Sequence, residues 1–218
     1  MSTMASSNRK LLAWFTSRNP LHVFIKILPL VALLIYILVQ YHHNVLSTII
    51  ALILGIISWS LLEYVIHRWI YHQHYKNRGI KWFIDSFHIH HHQHLDDYEV
   101  LNAGFLLVYP IFFLFGFIAF LFTQSIVLAA AFCLGMILYY FFYENIHYFI
   151  HYKTYQSGYM RFIQQYHLFH HHAKWNKNYG NTTSIWDRIF GTYDKAYKNF
   201  TLSESNKVFL ISHKKEAE

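Results

Sequence analysis

Apolar positions along the chain gather into four long blocks: residues 21–40, 45–64, 104–122 and 125–143. A helix needs about 20 such residues to cross ~30 Å of hydrocarbon, so each block predicts a membrane span. Only Thr123 and Gln124 separate the last two, which predicts a tight hairpin, either two full spans or a shallower re-entrant pair. Pro110 kinks or begins the third helix. No Ala-x-Ala site follows the first block, so that block is read as a retained span and not a cleaved signal. The expectation is an all-α integral membrane protein of about four helices. A polar arm (1–20), a membrane domain (21–200) and a weakly ordered tail (201–218) make up the chain.

Charge gives the spans a direction. Lys and Arg number three in residues 1–20, four in 65–103 and ten in 144–218, with none in the linkers 41–44 and 123–124. Four crossings put all three basic segments on one side, and the positive-inside rule makes that side cytoplasmic. Both termini are then expected in the cytoplasm. The net charge of +7 reads as a topology signal with attraction to anionic headgroups. No basic stripe on a soluble module points to nucleic acid.

Composition narrows the chemistry. Hydrophobic residues are 55% and charged ones 13% of 218 residues, against a usual charged share of ~25%, which excludes a water-soluble globule and disorder. The single cysteine, Cys133, excludes an internal disulfide, a cysteine-ligated cluster and a CxxC pair. Histidine stands out, at 18 residues against 11 acidic ones.

Fourteen of these histidines lie in 67–94 and 147–172, directly after the second and fourth blocks. Helical geometry, ~100° per residue, places His88, His91 and His92 on one face, and His167, His170 and His171 repeat the pattern. His147 and His151 are one turn apart. His67 and His72 are ~140° apart on a regular helix, so they approach one metal only if the helix unwinds there or if they serve two metals. His90 and His172 point away from these faces. Neutral imidazoles suit Zn, Cu, Fe and Ni. Ten candidate ligands exceed one coordination sphere, so two metals is the economical count. Isolated histidines such as His22, His42, His43 and His213 read as hydrogen-bonded helix-end residues. Glu63 and Glu144 lie on the ligand faces of their helices. Three roles are open to them: accepting the free ring N–H of a ligating His, direct ligation, or ion pairing with Arg68 or Arg161.

At these residues the sequence resembles the fatty acid hydroxylase superfamily, the membrane di-iron proteins that include sterol desaturases and sterol methyl oxidases. The resemblance covers roughly residues 55–195. It rests on Glu63-Tyr-x-x-His67-Arg68-x-x-x-His72, His88-x-x-His91-His92, His147-Tyr-x-x-His151 and His167-x-x-His170-His171. A trailing Asn178-Tyr-Gly-(x)5-Trp186-Asp187-Arg-x-Phe190-Gly191-Thr192 completes it. The resemblance implies two irons on His67, His72, His88, His91, His92, His147, His151, His167, His170 and His171, with zinc able to replace iron in purified protein. It also implies a cytoplasmic helical cap over four spans. Asp187 falls in the trailing segment, either bonding a ligand histidine or holding the cap together at a helix end.

The Glu-Tyr-x-x-His-Arg opening and the His-Tyr-x-x-His box look most like fatty acid 2-hydroxylases. Two departures keep a sterol or carotenoid hydroxylase or desaturase open. Gln93-His94-Leu-Asp-Asp replaces a proline-bearing stretch after the second box, and the trailing motif is shared with sterol- and ether-lipid-acting members. The expected activity is an O2-dependent monooxygenase acting on a lipid acyl chain, fed by a separate ferredoxin- or cytochrome-type electron donor. Trp69, Tyr71, Trp82, Phe83, Phe87, Tyr148, Phe149 and Trp175 interleave the boxes, as an apolar slot for the chain or an interfacial aromatic belt. A metal transporter or storage protein is the rival of another class. The few polar residues in and beside the spans (Ser58, Ser60, Asn145) disfavour a transport path.

Overall fold

Helices form where the apolar blocks lie, and their ends follow local capping chemistry. The computed structural model describes residues 14–42, 44–97, 99, 101–203, 207 and 210. Residues 1–13 of the arm, His43, His213 and most of the 201–218 tail lie outside the described residues. Helix α1 (Pro20–Gln40) opens on Asn19, whose Oδ1 accepts from the His22 N–H at 3.0 Å, with Pro20 at the first helical position. Such a cap satisfies an orphan donor, and proline there loses no helical hydrogen bond. Helix α2 (Val45–Ile66) runs on into a π-turn, His67–Tyr71.

Short elements follow: α3 (Arg78–Ile84), a second π-turn (Asp85–Ile89) and α4 (His90–Gln93). The strand β1 (Thr16–Ser17) pairs antiparallel with β2 (Asn102–Ala103). Helices α5 (Phe105–Thr123) and α6 (Ile126–Tyr152) form the hairpin, turned by Gln124 in the left-handed region at φ 51°. At 1.5 Å per residue, α5's 19 residues reach about 29 Å, long enough for a full crossing in place of a re-entrant loop. Pro110 neither begins α5 nor ends it; the helix starts at Phe105 and runs through. Helix α6 continues past residue 143 to Tyr152 and carries His147 and His151 on its last turns. Helix α7 (Gly158–His172), α8 (Ile185–Ile189) and a 3-10 turn (Lys195–Asn199) complete the chain order.

Among the described residues, four helices are long and apolar enough to cross a membrane. Large hydrophobics stand outward on them, Phe122 at 86% exposure being the extreme. A water-facing surface rarely tolerates that; a lipid-facing one requires it. The chain is an integral membrane protein.

Two compact units result, Met1–Ser60 with Asn102–Glu144 and Leu61–Leu101 with Asn145–Glu218. In the first, α2 and α6 approach backbone to backbone through a reciprocal pair of glycines. A Cβ on Gly55 would lie 2.0 Å from the Phe132 carbonyl oxygen, and one on Gly135 would lie 2.0 Å from that of Leu52. Small residues at a helix crossing allow this approach in lipid, where apolar burial between helices drives little. Trp59, Phe112 and Tyr140 close the same unit, with ring centroids 5.0–5.8 Å apart.

In the second unit Gln164 ties α7 to the end of α6. Its Nε2 donates to the carbonyls of Ile150 and Lys153, both at 2.7 Å, while its Oε1 accepts from the Tyr155 N–H at 3.0 Å. Tyr166, Phe169 and Tyr197 form an aromatic core beside that face.

Candidate metal centre

The second unit gathers nine histidines into two buried sets. His67, His72, His88, His92 and His170 form the first, and His91, His147, His151 and His167 the second, the ring nitrogens of each set lying within 4.8 Å of one another. His171 sits beside both: its Nε2 is 2.9 Å from His167 Nε2 and its ring stacks 4.0 Å from that of His92. His90, His94, His172 and His74 belong to neither set. His90 faces Asp97 at 2.9 Å, and His94 and His172 rest against His90 and Phe200.

The His67–His72 spacing is resolved by the first π-turn. Its hydrogen bonds run i→i+5, so residues five apart fall on the same side one turn on. The two rings come within 5.1 Å. A second π-turn places His88, and its Nε2 lies 2.9 Å from His72 Nε2 and 3.0 Å from His92 Nε2.

The two HxxHH triplets do not each serve one site, as a shared face predicts. They split. In α7, His167 joins the second set, with its partner at i+4, His171, against it, while His170 joins the first, its Nε2 3.1 Å from His72 Nε2. At the second box the assignment is reversed, with His88 and His92 in the first set and His91 in the second. Residues at i and i+4 diverge by only ~40°, whereas i+3 and i+4 diverge by ~100°. Each triplet therefore offers a pair to one set and a single ring to the other.

Outside the rings, backbone and carboxylates hold the geometry. His67 Nδ1 donates to the Tyr179 carbonyl and His170 Nδ1 to the Lys177 carbonyl, the latter at 2.7 Å. A carbonyl only accepts, so both rings carry their proton on Nδ1 and turn a bare Nε2 inward. Glu63, expected to serve a ring N–H, ligate or pair with arginine, instead grips the same loop. Its Oε1 accepts from the Asn181 and Thr182 N–H groups at 2.7 and 3.1 Å, and its Oε2 from the Thr182 hydroxyl at 2.8 Å. Asp187 takes Tyr179 N–H, Gly180 N–H and the Thr192 hydroxyl at 2.9, 2.8 and 2.7 Å, a role as tie and not as partner of a ring. Glu144 belongs to the first unit, where its Oε1 accepts from the Ala103 N–H at 3.1 Å.

The trailing motif explains itself here. Asn178 takes φ 58° and bonds the Asp194 backbone in both directions, at 3.1 and 2.7 Å. Gly180 admits no side chain, since a Cβ would meet the Thr183 carbonyl oxygen at 1.9 Å. Thr192 reaches the Tyr64 hydroxyl at 2.8 Å, and Phe190 stacks on the Tyr64 ring at 5.2 Å. Glu63-Tyr-x-x-His67-Arg68 thus docks on the trailing segment residue by residue, Arg68 included, through the Tyr64 hydroxyl and the Phe190 carbonyl. Sequence reading missed the Lys177 and Tyr179 carbonyls. Of the interleaved aromatics, Tyr71 stacks on His88 and Trp175 lies tilted against His92, each at 4.7 Å. Trp69 packs on Tyr64 and Phe190 instead, and Tyr148 and Phe149 pack on Tyr152. A cleft of about 430 Å³ lined by Tyr71, His72, Tyr75, Asp85, Trp175 and Tyr179 opens on the first set.

These residues fit metal ions. Two nitrogens ~2.1 Å from a common ion lie about 3.0 Å apart at a right angle and about 3.4 Å apart in a tetrahedron; the observed Nε2 spacings of 2.9–3.1 Å match the right-angle value. His67 Nε2 and both ring nitrogens of His91 are buried without a hydrogen-bond partner among the described residues, a costly arrangement unless a cation takes them. Burial holds His72 down to about 4 and His170 to about 3, and burial with neighbouring imidazoles holds His88, His91, His92, His167 and His171 well below the ordinary range. Neutral imidazole is the ligating form.

Comparison with known proteins agrees with this arrangement. Residues 51–192 match the fatty acid hydroxylase family model. A dihydroceramide fatty acyl 2-hydroxylase of Arabidopsis thaliana is 31% identical over 142 residues, covering 63% of this chain and 58% of that protein. The ceramide very long chain fatty acid hydroxylase of Schizosaccharomyces pombe is 32% identical over 147 residues, covering 64% of this chain and 41% of that protein. The chain thus spans about half the length of these relatives. A solved structure titled full length scs7p, with only its hydroxylase domain visible, shares the fold at a TM-score of 0.70 and 24% identity, over 84% of this chain and 68% of that one. With the four histidine boxes and the docked trailing motif in place, the chain belongs to the fatty acid hydroxylase family.

Proposed function

We propose that this protein is an O2-dependent di-iron hydroxylase of lipid acyl chains. The observation that carries the reading is the interlocked pair of all-imidazole sets, buried and neutral, in a chain of this family. The ten histidines would hold the ions: His67, His72, His88, His92 and His170 one, His91, His147, His151 and His167 the other, with His171 between. Bound iron supplies the redox chemistry with O2 that places oxygen in an unactivated C–H bond. The chain's own part is to hold neutral rings in fixed orientation, exclude water by burial and admit substrate and donor. Nδ1–H bonds from His67 and His170 to backbone carbonyls keep those rings turned inward. Relatives named for ceramide and fatty acyl hydroxylation support an acyl chain as substrate. The centre and both termini face the cytoplasm on the charge count above, where a separate ferredoxin- or cytochrome-type protein delivers electrons.

Metal analysis of protein reconstituted with iron tests the first half. Two irons per chain are expected, and fewer than one with no activity would contradict it. Lipid mass spectrometry of cells with and without the chain tests the second half. Acyl chains gaining one oxygen support it, and loss of two hydrogens marks a desaturase instead.

A further inference from the structure

The ten histidines are not equally enclosed. Nine are buried, none more than 8% exposed, and His72 alone is half-buried. It lines the cleft of about 430 Å³ together with Trp175. Trp175 is 43% exposed, yet its ring lies 4.7 Å from that of His92 and 6.4 Å from that of His72. Its Nε1 donates to the His171 carbonyl at 2.7 Å. The indole thus joins the protein surface to three of the ten histidines.

The wall of this cleft does not suit a lipid tail. Of its twelve lining residues only Ile84 and Ile89 are aliphatic, and an acyl chain gains by burial against apolar surface. The surroundings are cationic. Between the lining residues Tyr75 and Lys81 stand Lys76 and Arg78, both exposed and without an ion pair among the described residues. Lys81 pairs with Asp85, and Lys174, next to Trp175, pairs with Asp194. With Lys177 these five basic residues face two carboxylates, leaving a net charge of +3. Such a field attracts and orients an acidic protein. Electron tunnelling weakens steeply with distance, so a donor must dock where a ligand ring or its aromatic neighbour reaches the surface.

We infer that this cleft is the electron entry, the docking site of a small acidic one-electron carrier of the iron–sulfur class. His72 and Trp175 form the port, and Lys76 and Arg78 steer the carrier to it. This rests on the reading that the histidine sets hold iron, and deepens it by seating the donor. In each encounter the carrier's cluster loses one electron and the loaded centre gains it, with no bond made or broken.

The test uses the whole chain in detergent, loaded with iron, its metal counted, and mixed by stopped flow with a reduced plant-type two-iron ferredoxin. Ferredoxin oxidation is followed by absorbance as salt is raised. The second-order rate is expected to fall with ionic strength, because attraction between unlike charges is screened. Lys76→Glu combined with Arg78→Glu should lower it about 10-fold or more at low salt. The matched reversal Lys195→Glu with Lys198→Glu, outside the cleft, should leave it unchanged. Trp175→Leu, loaded with redox-silent zinc, should bind ferredoxin as the native chain does, and with iron should lose most of the transfer rate. A rate indifferent to salt overturns the inference, as do equal effects of the two reversals or undiminished transfer in Trp175→Leu. If Trp175→Leu loses its metal, salt dependence and charge reversal decide. A chain that takes up no iron refutes metal binding itself, whereas one that dithionite reduces and ferredoxin does not refutes the port alone.

Discussion

His88-x-x-His91-His92 and His167-x-x-His170-His171 carry the same pattern, and the fold uses them in opposite senses. The first gives its i, i+4 pair to the set that contains His72 and its middle ring to the set that contains His151; the second gives His170 to the former and His167 to the latter, with His171 beside both. Each histidine set is therefore built from both segments, and neither segment can be displaced without disturbing both. The loop that follows α7 adds backbone support to the first set, through the Tyr179 and Lys177 carbonyls that meet His67 and His170. Repetition in sequence thus distributes each triplet over both sets, while the backbone carbonyls that meet His67 and His170 come from a segment with no repeat.

The sharpest way to break this comparison is to separate adjacent residues. His92→Ala should empty the first position and His91→Ala the second, each lowering turnover by more than the roughly 100-fold ceiling of an outer partner. Metal counting on variants with either position already disabled reads this out. Identical losses from the two variants would contradict the split. Next in size is Gly180→Ala, whose Cβ would meet the Thr183 carbonyl oxygen at 1.9 Å. The loop must shift, costing about 1–3 kcal/mol, and the first ion alone should be weakened. Thermal unfolding and metal release together check it.

Acidity gives a third handle. Burial holds His72 near 4 and His170 near 3, against an ordinary value of 6.5. Below that ordinary value the unfolded chain binds protons that the fold refuses, so metal-free protein should lose stability as pH falls from about 6.5 toward 4, and hold it above that window. Unfolding midpoints across the range measure it, and a flat profile would contradict buried neutral rings. The smallest effect is expected from His90→Ala. That ring faces Asp97 with 19% of each side chain exposed, so the change should cost at most about 1 kcal/mol and leave both ions in place. Three consecutive histidines then give three distinct outcomes.

Much of this was legible in the sequence. Apolar block lengths predict the four long helices to within a few residues, except that α6 runs on to carry His147 and His151. Box spacing identifies the nine grouped histidines and His171, and sets aside His90 and His172. Three features were not legible. The π-turn at His67–Tyr71 has no periodic signature, because one inserted residue looks like a mismatch in spacing. The split of each triplet depends on which neighbour packs at each flank, which spacing alone does not carry. The tasks of Glu63 and Asp187 are played out on backbone groups more than a hundred residues away for one and within one loop for the other, and backbone donors have no letter in a sequence.

The most direct measurement is labelled-oxygen analysis of membrane lipids. Cells expressing the chain, and parallel cells expressing His91→Ala or His92→Ala, are grown under heavy oxygen gas and their acyl chains examined by mass spectrometry. One heavy oxygen on an acyl carbon, present with the native chain and absent with either variant, is the predicted result. Unchanged lipids, or acyl chains that lose hydrogens without gaining oxygen, would contradict hydroxylation by a two-metal centre.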